Sequence, residues 1–202
     1  MKKQASAPVA WSDFRKWMSN VLPLTACVPF PIAGYYFDSQ GKALISIICY
    51  AATLPALWLG INFLALFQNS QLKTALRRRL EAVHPEQMGK AVFAGFSRPN
   101  AASGIHLHED VGWVMMDDDA IRFLGERSQY DLSKQMVKNV RFGANWNTLL
   151  GLGRWVIVEG TESGKRIQMR FEPRERPTML ANLFYGKTLL NRIREWAKKP
   201  SR

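Results

Sequence analysis

The chain has 202 residues, with 28 Lys+Arg against 16 Asp+Glu and a formal net charge of +12. An aromatic content of 11% is too high for a disordered chain, and two cysteines, both inside apolar stretches, exclude a disulfide framework. The 25 residues from Ala43 to Phe67 carry no charge, which argues against a wholly soluble protein and leaves room for one domain of about 100–150 residues beside a membrane anchor.

Residues 1–16 are mixed and polar and read as a cytoplasmic N-terminal tail; a cleavable signal peptide would place its apolar region soon after Lys2 and Lys3. Residues 17–67 read as a transmembrane helical hairpin. Its first arm, about 17–37, is uncharged but interrupted by Pro23, Pro29 and Pro31, so it either spans or forms a re-entrant or interfacial piece. Tyr35 and Tyr36 stand where an aromatic belt would lie, and Asp38 to Lys42 turn the chain. The second arm, 43–67, would extend about 37 Å as a helix, enough for a hydrocarbon core of about 30 Å, with a kink at Pro55. Lys2, Lys3, Arg15 and Lys16 precede the hairpin and Lys73, Arg77, Arg78 and Arg79 follow it. The positive-inside rule then places both termini in the cytoplasm, in a cytoplasmic (inner) membrane. Ala52, Ala56 and Gly60 recur every fourth residue, either as a packing face for the other arm or a second copy of the chain, or by chance in an alanine-rich span.

Residues 68–89 form a basic juxtamembrane helix and linker. Leu72, Leu76, Leu80 and Val83 recur at helical spacing, with Lys73, Arg77, Arg78 and Arg79 on other faces, so the segment either lies on anionic headgroups or simply retains positive charge inside. Pro85 ends it.

From Lys90 the periodicity becomes strand-like. Strands are expected at 91–97, 110–116, 120–125, 128–132, 135–142, 154–159 and 166–171, with turns at Asp117–Asp119 and Gly160–Gly164. After Pro177, Leu180, Leu183, Phe184, Leu190, Ile193 and Ala197 fall on one face of a C-terminal amphipathic helix.

The opening Val92-Phe-Ala-Gly-Phe96, the hairpin Val111-Gly-Trp-Val114 with Asp117 and Ile121-Arg-Phe-Leu-Gly125, the strand Arg154-Trp-Val-Ile157 and a closing helix that ends in Trp196 resemble bacterial pleckstrin-homology-like domains, including those joined to membrane segments. The resemblance covers residues 90–199. It implies an α+β membrane protein in which a helical hairpin precedes an antiparallel β-barrel or sandwich capped by the C-terminal helix. Inositol-lipid recognition in that family uses a basic cluster between the first two strands; here the corresponding loop holds Arg98, two histidines and Glu109-Asp110.

No catalytic, cofactor or metal constellation stands out. His106 and His108 share a strand face but lack the further ligands a metal site needs, and Asp117–Asp119 read as a solvated turn. A Gly-x-Ser-x-Gly elbow is absent, and Gly151-Leu-Gly153 lacks the Lys-Ser/Thr of a phosphate loop. Arg170, Arg174 and Arg176, with Lys165 and Arg166, either form a basic patch for lipid or an acidic partner, or are neutralised by the interleaved Glu172 and Glu175. Membrane anchoring already explains much of the +12, so nucleic acid is not an expected partner. The expectation is a non-enzymatic adaptor that binds a protein partner at the membrane surface, with an anionic-lipid-binding regulatory domain or a subunit of a membrane enzyme or transport complex as alternatives.

Overall fold

A computed structural model of the chain describes residues 12–87, 89–99, 108–162 and 164–199. The tail of residues 1–11 and the His106 position lie outside these.

Helix α1 (Asp13–Cys27) begins at Ser12, whose hydroxyl accepts a hydrogen bond from Arg15 N. Helix α2 (Pro29–Ser39) follows after one residue. Pro29 and Pro31 have no N–H, so the helical ladder is interrupted there and the first arm is two helices rather than one. Gly41, at φ +72°, turns the chain into α3 (Ala43–Leu64), which runs back against both. Gly60 lies on the Pro23 carbonyl and Ala26, and Gly34 lies on the Tyr50 ring, so the arms are antiparallel and a β-carbon at either glycine would collide. Pro55 sits inside α3 without ending it. The helix that begins at Ala43 is long and apolar enough to cross a membrane.

The apolar helix stops at Leu64, three residues short of expectation, because residues 65–68 form a turn in which Gln68 takes a left-handed conformation, φ 53°. Helix α4 (Asn69–Val83) follows, and here the sequence reading is corrected. Leu72, Leu76 and Leu80 are buried against Phe93, Val111, Trp113, Met115 and Leu124 of the sheet. That apolar stripe is therefore used inside the folded body and is not available to a bilayer. Only Val83 of the four stripe residues is exposed.

Seven antiparallel strands follow: β1 (Val92–Ser97), β2 (Asp110–Met116), β3 (Ala120–Gly125), β4 (Gln129–Ser133), β5 (Val137–Gly143), β6 (Trp155–Glu162) and β7 (Lys165–Pro173). They form one sheet in the order β4-β3-β2-β1-β7-β6-β5. The strand expectations were close in position, but β6 and β7 pair as far as Glu162 and Lys165, which makes their turn shorter than the Gly160–Gly164 segment. A single helical turn, α5 (Trp146–Leu149), interrupts the expected loop before β6.

Alternation sorts the sheet into two faces. Val92, Ala94 and Phe96 join Val114, Phe123, Val156, Val158 and Phe171 on the inner face, where they pack on Leu189, Leu190 and Ile193 of α6 (Met179–Lys198). Phe93 points to the outer face, under α4. The buried side of α6 is Met179, Asn182, Gly186, Leu189, Leu190 and Ile193, a rotation from the expected stripe that leaves Phe184 69% exposed. The displacement has a polar cause. Asn182 donates to the carbonyls of Arg176 and Thr178 and accepts from Arg176 N, so a polar residue holds the core side of the first turn.

Leu80 is fully buried. Leu80→Ala is expected to destabilise the β-domain by about 2–4 kcal/mol. The shift in its denaturant midpoint measures this, and a helix lying on lipid would show no such loss.

Candidate functional site

Three features of the described residues concentrate polar chemistry. The first is the joint between the helical hairpin and the sheet. Asn62 Oδ1 accepts from Leu180 N at 2.9 Å in the first turn of α6, and Trp58 Nε1 donates to Leu150 O at 3.0 Å. Leu66, Leu152 and Met179 close around these contacts with Trp58 and Ile61. On the α4 side, Asn69 Nδ2 donates to Arg174 O at 2.8 Å while its Oδ1 accepts from Arg174 Nε at 2.9 Å. Lys73 pairs with Glu175, whose other oxygen accepts from Phe93 N at 2.6 Å. The Arg174 side chain is only 2% exposed, and that burial lowers its pKa to about 10 against the opposing charge of Glu172. It remains a cation at neutral pH.

The second feature is a buried His–carboxylate pair on the outer side of β1 and β7. His108 Nε2 lies 2.8 Å from Glu172 Oε2, the ring stands edge-on to Trp155, and Glu172 Oε1 accepts from Asn145 Nδ2 at 2.8 Å. Gly95 is opposite Glu172 in the ladder, and any side chain there would occupy the space of the His108 ring. Burial lowers the His108 pKa below 6.5; Glu172 opposes this and Arg174 adds to it. The pair ties the segment before β2 to the end of β7. Among the described residues no group of three or more His, Cys, Asp or Glu side chains could hold a metal ion.

The third feature is a pocket of about 630 Å³ at the mouth of the inner face. Phe96, Tyr130, Ile167 and Met169 make its apolar lining, and Arg98, Asp131, Glu162 and Arg166 stand around it. Phe96 and Tyr130 are stacked at 4.7 Å between centroids, with the Arg98 guanidinium 5.5 Å from the Tyr130 ring. Both cations are already paired, Arg98 with Glu109 and Arg166 with Glu159.

The residues singled out in the sequence do not converge on one site. Lys73 and Arg79 are engaged by the sheet; Arg79 donates to the carbonyls of Gly125 and Glu126. Arg77 pairs with Glu81, and Arg78 is exposed beside a shallow groove of α4. Arg170 donates to Gln168, Arg176 stacks over Tyr185, and Arg174 is buried, so the three are not a surface patch. Glu159 collects Arg141, Arg166, Gln168 and Asn139, and those hydrogen bonds, Arg141 foremost, hold its pKa down to about 2. Gly60 is occupied by α1 of the same chain, with Ala52 and Ala56 half-buried. Asp117 accepts from Asp119 N and Ala120 N and pairs with Arg122, as a turn aspartate does. The sequence reading missed Asn69 and Asn145, and named Glu172 only as a charge neutralising the nearby arginines. Asn62 stands out in the sequence only as a polar residue within the uncharged run 43–67.

No family model matches the chain, and no curated protein matches its sequence.

The lowered His108 pKa sets a pH dependence. Between the folded value and 6.5 the unfolded chain binds more protons than the native one, so stability is complete above pH 6.5 and falls as pH drops below it. Thermal melts are expected to show this slope in the wild type and a flatter one in His108→Gln.

Proposed function

We propose that the chain is a membrane-anchored, non-catalytic adaptor, with a helical hairpin that spans the cytoplasmic membrane and a pleckstrin-homology-like domain that docks a protein partner in the mouth pocket. The strand order and the helix across the inner face support the domain assignment. The uncharged α3 supports the anchor. The antiparallel arms bring the start of α1, with Arg15 and Lys16, to the same end as the sheet, consistent with both termini being cytoplasmic.

The observation that carries the docking role is the placement of the pocket. The hairpin is joined to the sheet at the start of β6 and the end of β7, whereas the pocket lies at their opposite ends. Strands of 8 and 9 residues put up to about 30 Å between the two. Helix α4 gives a second measure: from Asn69 at the joint to Arg79, which bonds the far end of β3, the chain climbs about 15 Å. The pocket is thus held away from the bilayer that contains the hairpin, and its cations are paired rather than presented to phosphate. An aromatic lining with paired ions at its rim suits a peptide segment with apolar side chains. Anchoring keeps the pocket at a high effective concentration beside the membrane.

Two experiments test this reading. A photo-reactive phenylalanine analogue at Tyr130 in the full chain should cross-link in cells to discrete protein species, and Arg98→Ala with Ile167→Ala, both at partly or fully exposed lining positions, should abolish them. Cross-linking to phospholipid instead would reverse the assignment. A cysteine at Gln40 should react with an impermeant reagent only from outside the cell, and alkaline extraction should leave the chain in the membrane pellet; release into the supernatant would remove the anchor.

A further inference from the structure

We propose that the β-domain carries its own bilayer contact, in which Leu149, Leu150 and Phe184 enter the headgroup–acyl boundary beside α3. This rests on the membrane reading of the hairpin given above.

Depth decides it. Helix α3 has 22 residues and rises about 33 Å, close to a hydrocarbon thickness of about 30 Å. Trp58 lies six residues before Leu64, or about 9 Å back along the axis. Its indole N–H is bonded to Leu150 O, so the turn around α5 reaches back along the apolar helix instead of meeting its end. A span that begins at Ala43 places that contact at a depth of about 5–10 Å, the depth at which interfacial apolar groups settle. Indole rings favour the same level.

The side chains at that level match it. Leu149 is 79% exposed and Leu150 is exposed as well, at the tip of a turn. Phe184 is one helical turn beyond Leu180, whose N–H is held by Asn62 of α3, so it lies on the same face of α6 as the joint. Lys187, three residues further and exposed, suits the headgroup layer. Lipid also demands that backbone groups near it be satisfied. The turn meets that demand. Leu150 N, Gly151 N and Leu152 N donate to carbonyls of Asn147 and Thr148, Asn145 and Thr148 cap each other, and the Thr148 hydroxyl donates to Gly153 O. Gly151 at φ +67° lets the backbone return so that Leu152 is buried in the joint while Leu149 and Leu150 are exposed. Helix α3 carries exposed apolar residues of its own, including Leu54, Leu59 and Phe63. Lipid is the occupant that covers both.

The test uses the full chain in phospholipid vesicles, with Cys27→Ala and Cys49→Ala as background. Single substitutions Leu149→Cys, Phe184→Cys, Leu54→Cys and Glu162→Cys each carry a polarity-sensitive fluorophore, and lipids spin-labelled at shallow or deep positions serve as quenchers. Position 54 should be quenched by deep labels. Positions 149 and 184 should be quenched by shallow labels about twofold or more above position 162. Quenching at 54 with 149 and 184 indistinguishable from 162 would overturn the proposal and leave the anchor intact. An unquenched position 54 would overturn both. Shielding of 149 that disappears when the protein is diluted among vesicles, with no lipid quenching, would assign the patch to a second copy and also overturn it.

Discussion

An asparagine inside an uncharged helix must find a partner, and Asn62 finds it in the first turn of α6. The first turn of any helix leaves backbone N–H groups without intrahelical acceptors. In α6, Thr178 satisfies Ala181 N from within the same segment, and Asn62 satisfies Leu180 N from 118 residues away. One hydrogen bond therefore serves two needs, a buried amide in an apolar arm and an open helix terminus in the domain. Leaving either unmet would cost about 1–3 kcal/mol. The apolar cluster of Leu66, Leu152 and Met179 forms around that bond and excludes water from it.

The joint is fixed from a second direction by α4. Its leucines lie on the outer face of the sheet while α6 lies on the inner face, so one stretch of sheet is covered by helices on both sides. Arg174 is the cation that this arrangement buries, and its carbonyl and guanidinium engage both ends of the Asn69 amide. Because α3 leads into α4 through only the turn of residues 65–68, and α4 is packed on the sheet, a rotation of the domain relative to the hairpin would have to break the Asn62 and Trp58 contacts together. A flexible tether would have used a polar linker at this position.

The strands were legible because short runs of strand formers and turn residues act locally. Val92 to Phe96 and Trp155 to Val158 are short apolar runs, buried along their length, and Asp117 accepts from the backbone of the turn it begins. The hydrophobic stripe of α4 was also legible, but its partner was not. Leucines every three or four residues beside arginines look the same whether they face a sheet or a bilayer, and only tertiary packing separates the two. The stripe of α6 was misjudged for a different reason. Hydropathy ranks Phe184 above Asn182 and Gly186, yet Asn182 is the residue whose amide closes the turn, and Gly186 faces Phe142 and Pro173 on the buried side. The buried pairing of His108 with Glu172 joins positions 64 residues apart and has no local signature, although Gly95, opposite Glu172 in the ladder, marks the space the ring fills.

Charge is arranged differently at the two ends of the domain. At the joint, ions are buried or bonded to backbone: Arg174 holds Asn69, and Glu175 bridges Lys73 and Phe93 N. These arrangements set geometry and leave little charge to present. At the mouth pocket, Arg98 and Arg166 are exposed but each already has a carboxylate partner, Glu109 and Glu159. Pairs whose cation is exposed contribute about 0–1 kcal/mol and are screened by salt, so on the proposed reading they orient an incoming segment more than they attract it. On that reading, affinity must then come from Tyr130 and Ile167, the half-buried apolar residues of the lining, which rest on the buried Phe96 and Met169. On the proposed reading the net charge of +12 is a property of how the chain sits at the membrane, and recognition at the pocket is a matter of shape.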